Sequence, residues 1–143
     1  MSSRGQKFTV KWKTPVYYQD FLSDFSCNPT TGALRTVTNE DAINQSIMNL
    51  VMTRPGSRPG RNALGSKVLA SLFDLAVPAS LDILQSSIEN VIQNYEPRVE
   101  DVVVVVDRSP DVLLHDEIQV TITYRPINLP QTVTFAFPLK RVR

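Results

Sequence analysis

The feature that most constrains this chain is the junction at residues 95–99, where two residue patterns of different period meet. Before it, apolar residues recur every three to four positions; after it come five consecutive valines, Val102–Val106. Pro97 cannot continue a helix, because it lacks an amide N–H and disfavours helical backbone at the residue before it. The sequence therefore predicts a helix that ends at this junction, then a stiff connector carrying Glu96 and Arg98, then a strand.

Three helices are predicted before the junction. The first spans about residues 39–53, with Thr38 as its hydroxyl cap and acids in its first turn. A shorter second helix follows Ser66, and the third runs from Pro78 to the junction. The apolar stripe of the third helix is predicted to face the core; it consists of Leu81, Leu84, Ile88, Val91, Ile92 and Tyr95.

Three strands are predicted after the junction. The valine run is typical of a central strand covered on both faces. Residues 118–124 alternate apolar and polar side chains, as a half-buried strand does, and a last alternating strand, 131–138, lies between Pro130 and Pro138. Helices followed by strands predict an α+β fold: three helices packed on an antiparallel sheet of three or more strands, joined as a meander. Residues 1–37 are expected to form an extended N-terminal arm, and residues 38–143 a single α+β domain.

Composition excludes several classes of function. The chain has 143 residues, of which 42% are hydrophobic, so one domain with a sizeable core is expected. A net charge of +1 provides no field to hold nucleic acid or a membrane, although basic residues gather at both ends. A single cysteine, Cys27, excludes an internal disulfide and a multi-cysteine zinc site, and a single histidine, His115, argues against a histidine-based metal centre. No cofactor is expected. No apolar run approaches the roughly 20 residues of a membrane-spanning helix.

An ordered set of motifs resembles the baseplate wedge and sheath-initiator family of contractile phage tails and related contractile injection systems. The resemblance extends over about residues 20–139. It departs from the family locally at residues 60–63, and the basic arm before residue 20 has no counterpart in it. The motifs, in chain order, are Ser23-Asp24-Phe25, Ala42–Ile47, Thr53–Pro59, Leu64–Ser66, Leu72-Phe73 and Asn94–Val99.

The resemblance implies a structural subunit that joins wedge proteins and initiates tail sheath assembly by β-strand addition. It implies a place in the virion tail baseplate, assembled in the host cytoplasm. The expected partners are other baseplate wedge subunits and the tail sheath protein, with tail tube or hub proteins as further candidates. The implied wedge contacts are Glu96, Pro97 and Arg98; Arg54 and Arg58, on the proline-rich loop, are further candidates for wedge contacts. The implied sheath contacts are Val133, Thr134, Phe135, Ala136 and Phe137.

Two other interpretations of the charged residues stay open. Glu96 and Arg98 also fit an internal ion pair that orients the following strand, and Arg54 and Arg58 also fit a solvated loop. If Glu96 and Arg98 serve only as wedge contacts, replacing either by alanine leaves the isolated domain folded.

A peptidoglycan hydrolase is the alternative function. Glycoside hydrolysis needs two carboxyl groups about 5–10 Å apart across a cleft, one of them with a raised pKa. Here the acids cluster in turns and on a strand flank, and the chain has no phosphate-binding glycine loop or nucleophile motif. His115 beside Asp116 and Glu117 is interpreted as an exposed residue near a strand. The sequence therefore predicts a protein that is not an enzyme.

Overall fold

The computed structural model describes residues 15–71, 79–108 and 117–140. These residues form two antiparallel sheets and three helices, and the predicted α+β class is confirmed. No helix in this part of the chain combines the length and the apolar character needed to cross a bilayer. The elements in chain order are β1 (Gln19–Phe21), β2 (Thr36–Thr38), α1 (Glu40–Met52), α2 (Val68–Ser71), α3 (Ala79–Tyr95), β3 (Val99–Arg108), β4 (Glu117–Pro126) and β5 (Val133–Lys140).

The main sheet is the predicted antiparallel meander, with strand order β3-β4-β5. The α3 helix packs on β3, and α1 and α2 pack on α3, so the helices cover one face of the sheet. The core lies between these layers, where β4 supplies Ile118, Val120, Ile122 and Tyr124 in strict alternation, as predicted. Their helical partners in the core are Ile43, Ile47, Val51, Val68, Leu84, Ile88 and Ile92.

The valine run does not form a central strand. It belongs to β3, which lies at one edge of the sheet, and Val103 and Val105 are 53% and 45% exposed on the face away from the helices. The prediction of a strand covered on both faces is therefore wrong. In a three-strand meander the second strand in sequence lies in the middle, so β4 takes the central position. Valine is frequent in β3 because its branched side chain suits a pleated strand, whether or not both faces are buried.

The start of α1 differs from the prediction. Thr38 ends β2, where it pairs with Gln19, and Asn39 is the residue before the helix, with a positive φ of 50°. The Asn39 side chain does not cap the helix: its Oδ1 accepts from the Tyr17 N–H at 2.9 Å and its Nδ2 donates to the Pro15 carbonyl at 2.9 Å. A local cap is thus replaced by a contact with the preceding chain.

The end of α3 is at Tyr95, as predicted. Leu84, Ile88 and Ile92 from the predicted stripe are fully buried, but Tyr95 is 37% exposed and is not a core residue. Its hydroxyl donates to the Ala63 carbonyl at 3.0 Å. The Leu72-Phe73 motif lies outside the described residues.

Residues 15–38, most of which were predicted to be part of an extended arm, contain a small hairpin. β1 pairs with β2, and Cys27 forms a further bridge with Leu34. Gln45 of α1 holds this hairpin through both of its amide atoms, accepting from the Ser23 N–H and donating to the Phe21 carbonyl. The basic residues Arg4, Lys7, Lys11 and Lys13 precede the described part of the chain.

Gly65 closes the loop between α1 and α2. Its φ is +117°, and a Cβ placed there would lie 2.3 Å from the Thr53 carbonyl oxygen. That same oxygen accepts from the Ser66 N–H at 2.9 Å, so the two ends of the loop are in direct backbone contact. Only glycine allows this close approach.

We expect Gly65→Ala to lower the free energy of unfolding by about 2–3 kcal/mol, because it combines an unfavourable φ with a backbone clash. Gly56→Ala is the matched control: its φ is +81°, but no atom lies within 4 Å of the added Cβ. This control should lose only about 1 kcal/mol from backbone strain. Urea denaturation measures both, and equal losses would show that the contact with Thr53 is unimportant.

Candidate partner-binding surfaces

The Glu-Pro-Arg joint is built around a buried carboxylate. Glu96 is only 3% exposed, although it directly follows α3 and precedes the exposed Pro97. Its two oxygens accept from Arg98 Nε at 2.6 Å and Arg98 Nη2 at 2.8 Å, a bidentate pairing. Ser46 Oγ of α1 donates to the same carboxylate at 2.6 Å. The joint therefore links α1, the end of α3 and the start of β3.

Arg98 extends this network to the hairpin. Its Nη1 donates to Asp20 Oδ2 at 3.2 Å, and its guanidinium carbon lies 5.7 Å from the centre of the Tyr18 ring. Tyr18 in turn accepts a hydrogen bond from Asn128 of the β4–β5 loop. The Arg98 side chain remains 24% exposed. In the isolated chain Glu96 and Arg98 thus form the internal ion pair that the sequence left open.

The environment of the joint keeps its charges in place. Burial alone would raise the pKa of the Glu96 carboxyl, but hydrogen bonds from Arg98 and Ser46, with the charge of Arg98, hold it below the ordinary value. The hydrogen bond to Glu96 raises the pKa of the Arg98 guanidinium. Burial is the main cause of a raised pKa at the nearby Tyr124, and the charges of Glu40 and Glu96 raise this pKa further. The Tyr124 hydroxyl donates to Asn44 at 2.7 Å.

Arg54 and Arg58 lie on a mostly exposed loop, residues 54–64. Backbone hydrogen bonds such as Gly56 N–H to the Asn62 carbonyl, at 2.8 Å, give this loop a defined shape. The bond from Tyr95 to Ala63 attaches it to the last residue of α3. The structure therefore attaches the loop to the residue before Glu96, with both arginines exposed.

The five predicted sheath contacts lie on β5, at the edge of the sheet opposite β3. Val133 and Phe137 face the core, Phe135 is half-buried, and Thr134 and Ala136 are exposed. Phe135 stacks on Phe137 with ring centroids 5.8 Å apart. The predicted strand bounds are wrong at the C-terminal end, because β5 runs from Val133 to Lys140 and contains Pro138.

Sequence reasoning missed the partners that complete the joint. Ser46 lies 50 residues from Glu96, and Asp20 lies 78 residues from Arg98, so no local pattern connects them. Two acids at the start of β3 are also paired: Arg125 Nη2 lies 3.1 Å from Glu100 and 2.7 Å from Asp101. Across the described residues, no group of three or more potential metal ligands is placed to hold an ion. His115 lies outside them.

Comparison with known protein families shows to which family the chain belongs. The family described as baseplate wedge protein gp25 matches residues 37–130, which is more than half of the chain. The chain belongs to the baseplate wedge protein family. One relative, baseplate wedge protein gp25 of Enterobacteria phage T4, is 31% identical to this wedge protein over 91 residues. The match covers 63% of this chain and 69% of the T4 protein.

Solved structures share the fold of this wedge protein. The anti-feeding prophage baseplate contains a chain with a TM-score of 0.62 and 26% identity, matched over 79% of this chain and 88% of that one. The type VI secretion system baseplate contains one with a TM-score of 0.54 and 18% identity, matched over 69% and 92%. A Geobacter sulfurreducens structure, named as a candidate tail lysozyme, has a TM-score of 0.60 and 21% identity, matched over 73% and 92%. The last two show likeness of fold alone.

We expect the two sides of the joint to differ in their contribution to stability. Arg98→Met leaves the Glu96 carboxylate buried without its partner and should cost about 3–5 kcal/mol. Glu96→Gln leaves Arg98 with Asp20 and some solvent, and should cost about 1–2 kcal/mol. Chemical denaturation of both variants at neutral pH measures the difference. If both variants unfold like the wild type, the sequence-based expectation that these residues serve only as external contacts is correct.

The pH dependence checks that the loss is electrostatic. Because folding lowers the pKa of Glu96, its contribution is complete above the unfolded pKa of about 4.3 and is lost as the pH falls through the folded value. The stability gap between wild type and Glu96→Gln should therefore shrink below about pH 4. A gap that is constant down to acid pH would contradict this assignment.

Proposed function

We propose that this wedge protein is a structural subunit of a contractile-tail baseplate that joins neighbouring wedge subunits and initiates tail sheath assembly by accepting a β-strand along β5. The observation that carries the proposal is the position of β5. Within the described residues it pairs with β4 alone, so its other side is an open sheet edge. An open edge offers backbone donors and acceptors to an extended segment of another chain.

The joint and the adjacent loop are the proposed contact with other wedge subunits. Glu96 is directed inward, so its role is to fix the orientation of Pro97 and Arg98. The exposed face of Arg98, with Arg54 and Arg58 on the loop, then presents guanidinium groups to a neighbour. Guanidinium groups bind carboxylates and backbone carbonyls in fixed geometry. The proposed place of action is the tail baseplate of a particle assembled in the host cytoplasm.

A structural role fits the described residues better than the hydrolase alternative. The general acid of a glycoside hydrolase has a raised pKa, whereas Glu96, the buried carboxyl here, has a lowered one. Glu100 and Asp101 are exposed and paired with Arg125. The likeness to the Geobacter structure is one of fold, and fold alone does not carry an activity. Wall-degrading activity of the purified chain in a turbidity assay would favour the hydrolase instead.

We expect Arg54→Glu combined with Arg58→Glu to impair wedge joining without unfolding the domain, because both side chains are exposed. Losing about 1.4 kcal/mol of contact energy would lower the affinity for a neighbouring wedge subunit roughly tenfold. The yield of baseplates is counted by electron microscopy in particles that contain only the variant protein. Arg61→Glu, exposed on the same loop, is the matched control. Equal yields for the double variant and the control would count against a contact at Arg54 and Arg58.

We expect Ala136→Lys to permit baseplates but block sheath assembly, since a lysine on an edge strand discourages strand addition. Val105→Lys is the matched control, because Val105, Thr121 and Ala136 form one row across the exposed face. It places the same side chain at the opposite edge. Micrographs should show sheathed tails with Val105→Lys and bare tube or baseplates with Ala136→Lys. The reverse pattern would move the accepting edge to β3.

A further inference from the structure

The two edges of the main sheet differ in their free backbone groups. At the β3 edge, the Val104 N–H donates to Glu89 Oε1 of α3 at 3.1 Å rather than to β4. Antiparallel strands alternate between residues whose N–H and C=O face the partner strand and residues whose groups face away. Val104 is therefore a residue whose backbone groups face away from β4, and its N–H is already hydrogen-bonded to Glu89.

The alternation extends from Val104 across the sheet. Val104 pairs with Ile122, which must direct its backbone groups toward β5, and Ile122 pairs with Phe135. Phe135 therefore exchanges hydrogen bonds with β4, as does Phe137 two residues on. The intervening residues, Thr134 and Ala136, direct their N–H and C=O groups to the open side of β5.

Pro138 gives an independent check on this assignment. Proline has no N–H to donate, so it is tolerated in a strand at an edge position that faces away from the neighbouring strand. Pro138 is two residues beyond Ala136 and so falls in the outward-facing set. It offers an added strand a carbonyl but no donor.

The side chains along β5 define what such a strand carries. On the helix side, the half-buried Phe135 ring lies against Tyr124 and Phe137, with centroids 6.2 Å and 5.8 Å away. An apolar side chain of an added strand would extend this cluster. On the other face, Thr134 and Ala136 are the last members of two cross-strand rows of uncharged residues. Thr134 Oγ1 lies 3.0 Å from Thr123 Oγ1. Small uncharged side chains fit there.

We infer that the sheet accepts one short extended segment in which apolar and small uncharged residues alternate. The segment exchanges backbone hydrogen bonds with Thr134 and Ala136. At Pro138 it meets a carbonyl but no N–H donor. Glu89 closes the opposite edge at Val104, so it selects β5 as the accepting side. This inference rests on the proposed role in sheath initiation and specifies the register of that contact. The partner is recognised through its backbone and its alternating pattern rather than through charge.

Amide hydrogen exchange on the full chain, read residue by residue by NMR, tests the edge assignment without any partner. After correction for intrinsic rates, Thr134 and Ala136 should exchange at least roughly tenfold faster than Phe135 and Phe137. Glu89→Ala should accelerate exchange at Val104, whereas Glu89→Gln should not, because an amide oxygen still accepts. Faster exchange at Phe135 and Phe137, or an unchanged Val104 in Glu89→Ala, would overturn the inference.

Particle assembly with Ala136→Pro then tests the use of this edge. Proline removes the outward donor without removing a bond to β4, and Ala136→Val, which keeps the donor, is the control. Sheathed tails should be lost with proline and kept with valine. If the exchange pattern holds but Ala136→Pro forms normal sheaths, strand addition at β5 is wrong while the edge assignment stands. If the exchange pattern is reversed, the register is wrong whatever the assembly result.

Discussion

The arrangement of this wedge protein depends on the hydrogen-bonded ion pair that the buried Glu96 carboxylate forms. A charged group with 3% exposure costs several kcal/mol unless it is paired and hydrogen-bonded, and here Arg98 and Ser46 provide both. These partners come from the start of β3 and from α1, and Arg98 reaches Asp20 of the hairpin as well. The carboxylate keeps these hydrogen bonds only while α1 and the start of β3 stay beside the end of α3. Pro97 stiffens the turn between the two members of the pair, so the exposed side of Arg98 is held in a fixed position.

A second asymmetry separates the two edges of the main sheet. The β3 edge carries a register shift between Glu100 and Val103, an ion cluster with Arg125, and the contact between Glu89 and Val104. Bulges and charges of this kind discourage strand pairing. β5 has uncharged side chains from Val133 to Leu139. The ion pair thus fixes one end of the molecule, which we propose contacts wedge neighbours, and β5 is the edge that we propose accepts a strand.

The sequence predicted those features of the fold that depend on residues close together in the chain. Pro97 ends α3, and the period-two pattern of residues 118–124 places β4 against the helices, because each depends on neighbouring residues only. Glu96 binds Ser46 and Arg98 binds Asp20, and both of these partners are far away in sequence. The choice between an internal pair and an external contact therefore could not be made from the sequence. The prediction of a central strand from the valine run is wrong because composition does not decide strand order, and a meander places its second strand in the middle. The role of Glu89 required knowing where α3 crosses the edge of β3.

The most direct test of the account is a reconstruction of the assembled baseplate by cryo-electron microscopy at side-chain resolution, focused on the joint. We expect Glu96 to remain paired with Arg98 and Ser46 of its own chain, with neighbouring subunits contacting only Pro97 and the outer face of Arg98. A Glu96 side chain turned outward to a neighbour, with its bonds to Arg98 broken, would contradict it.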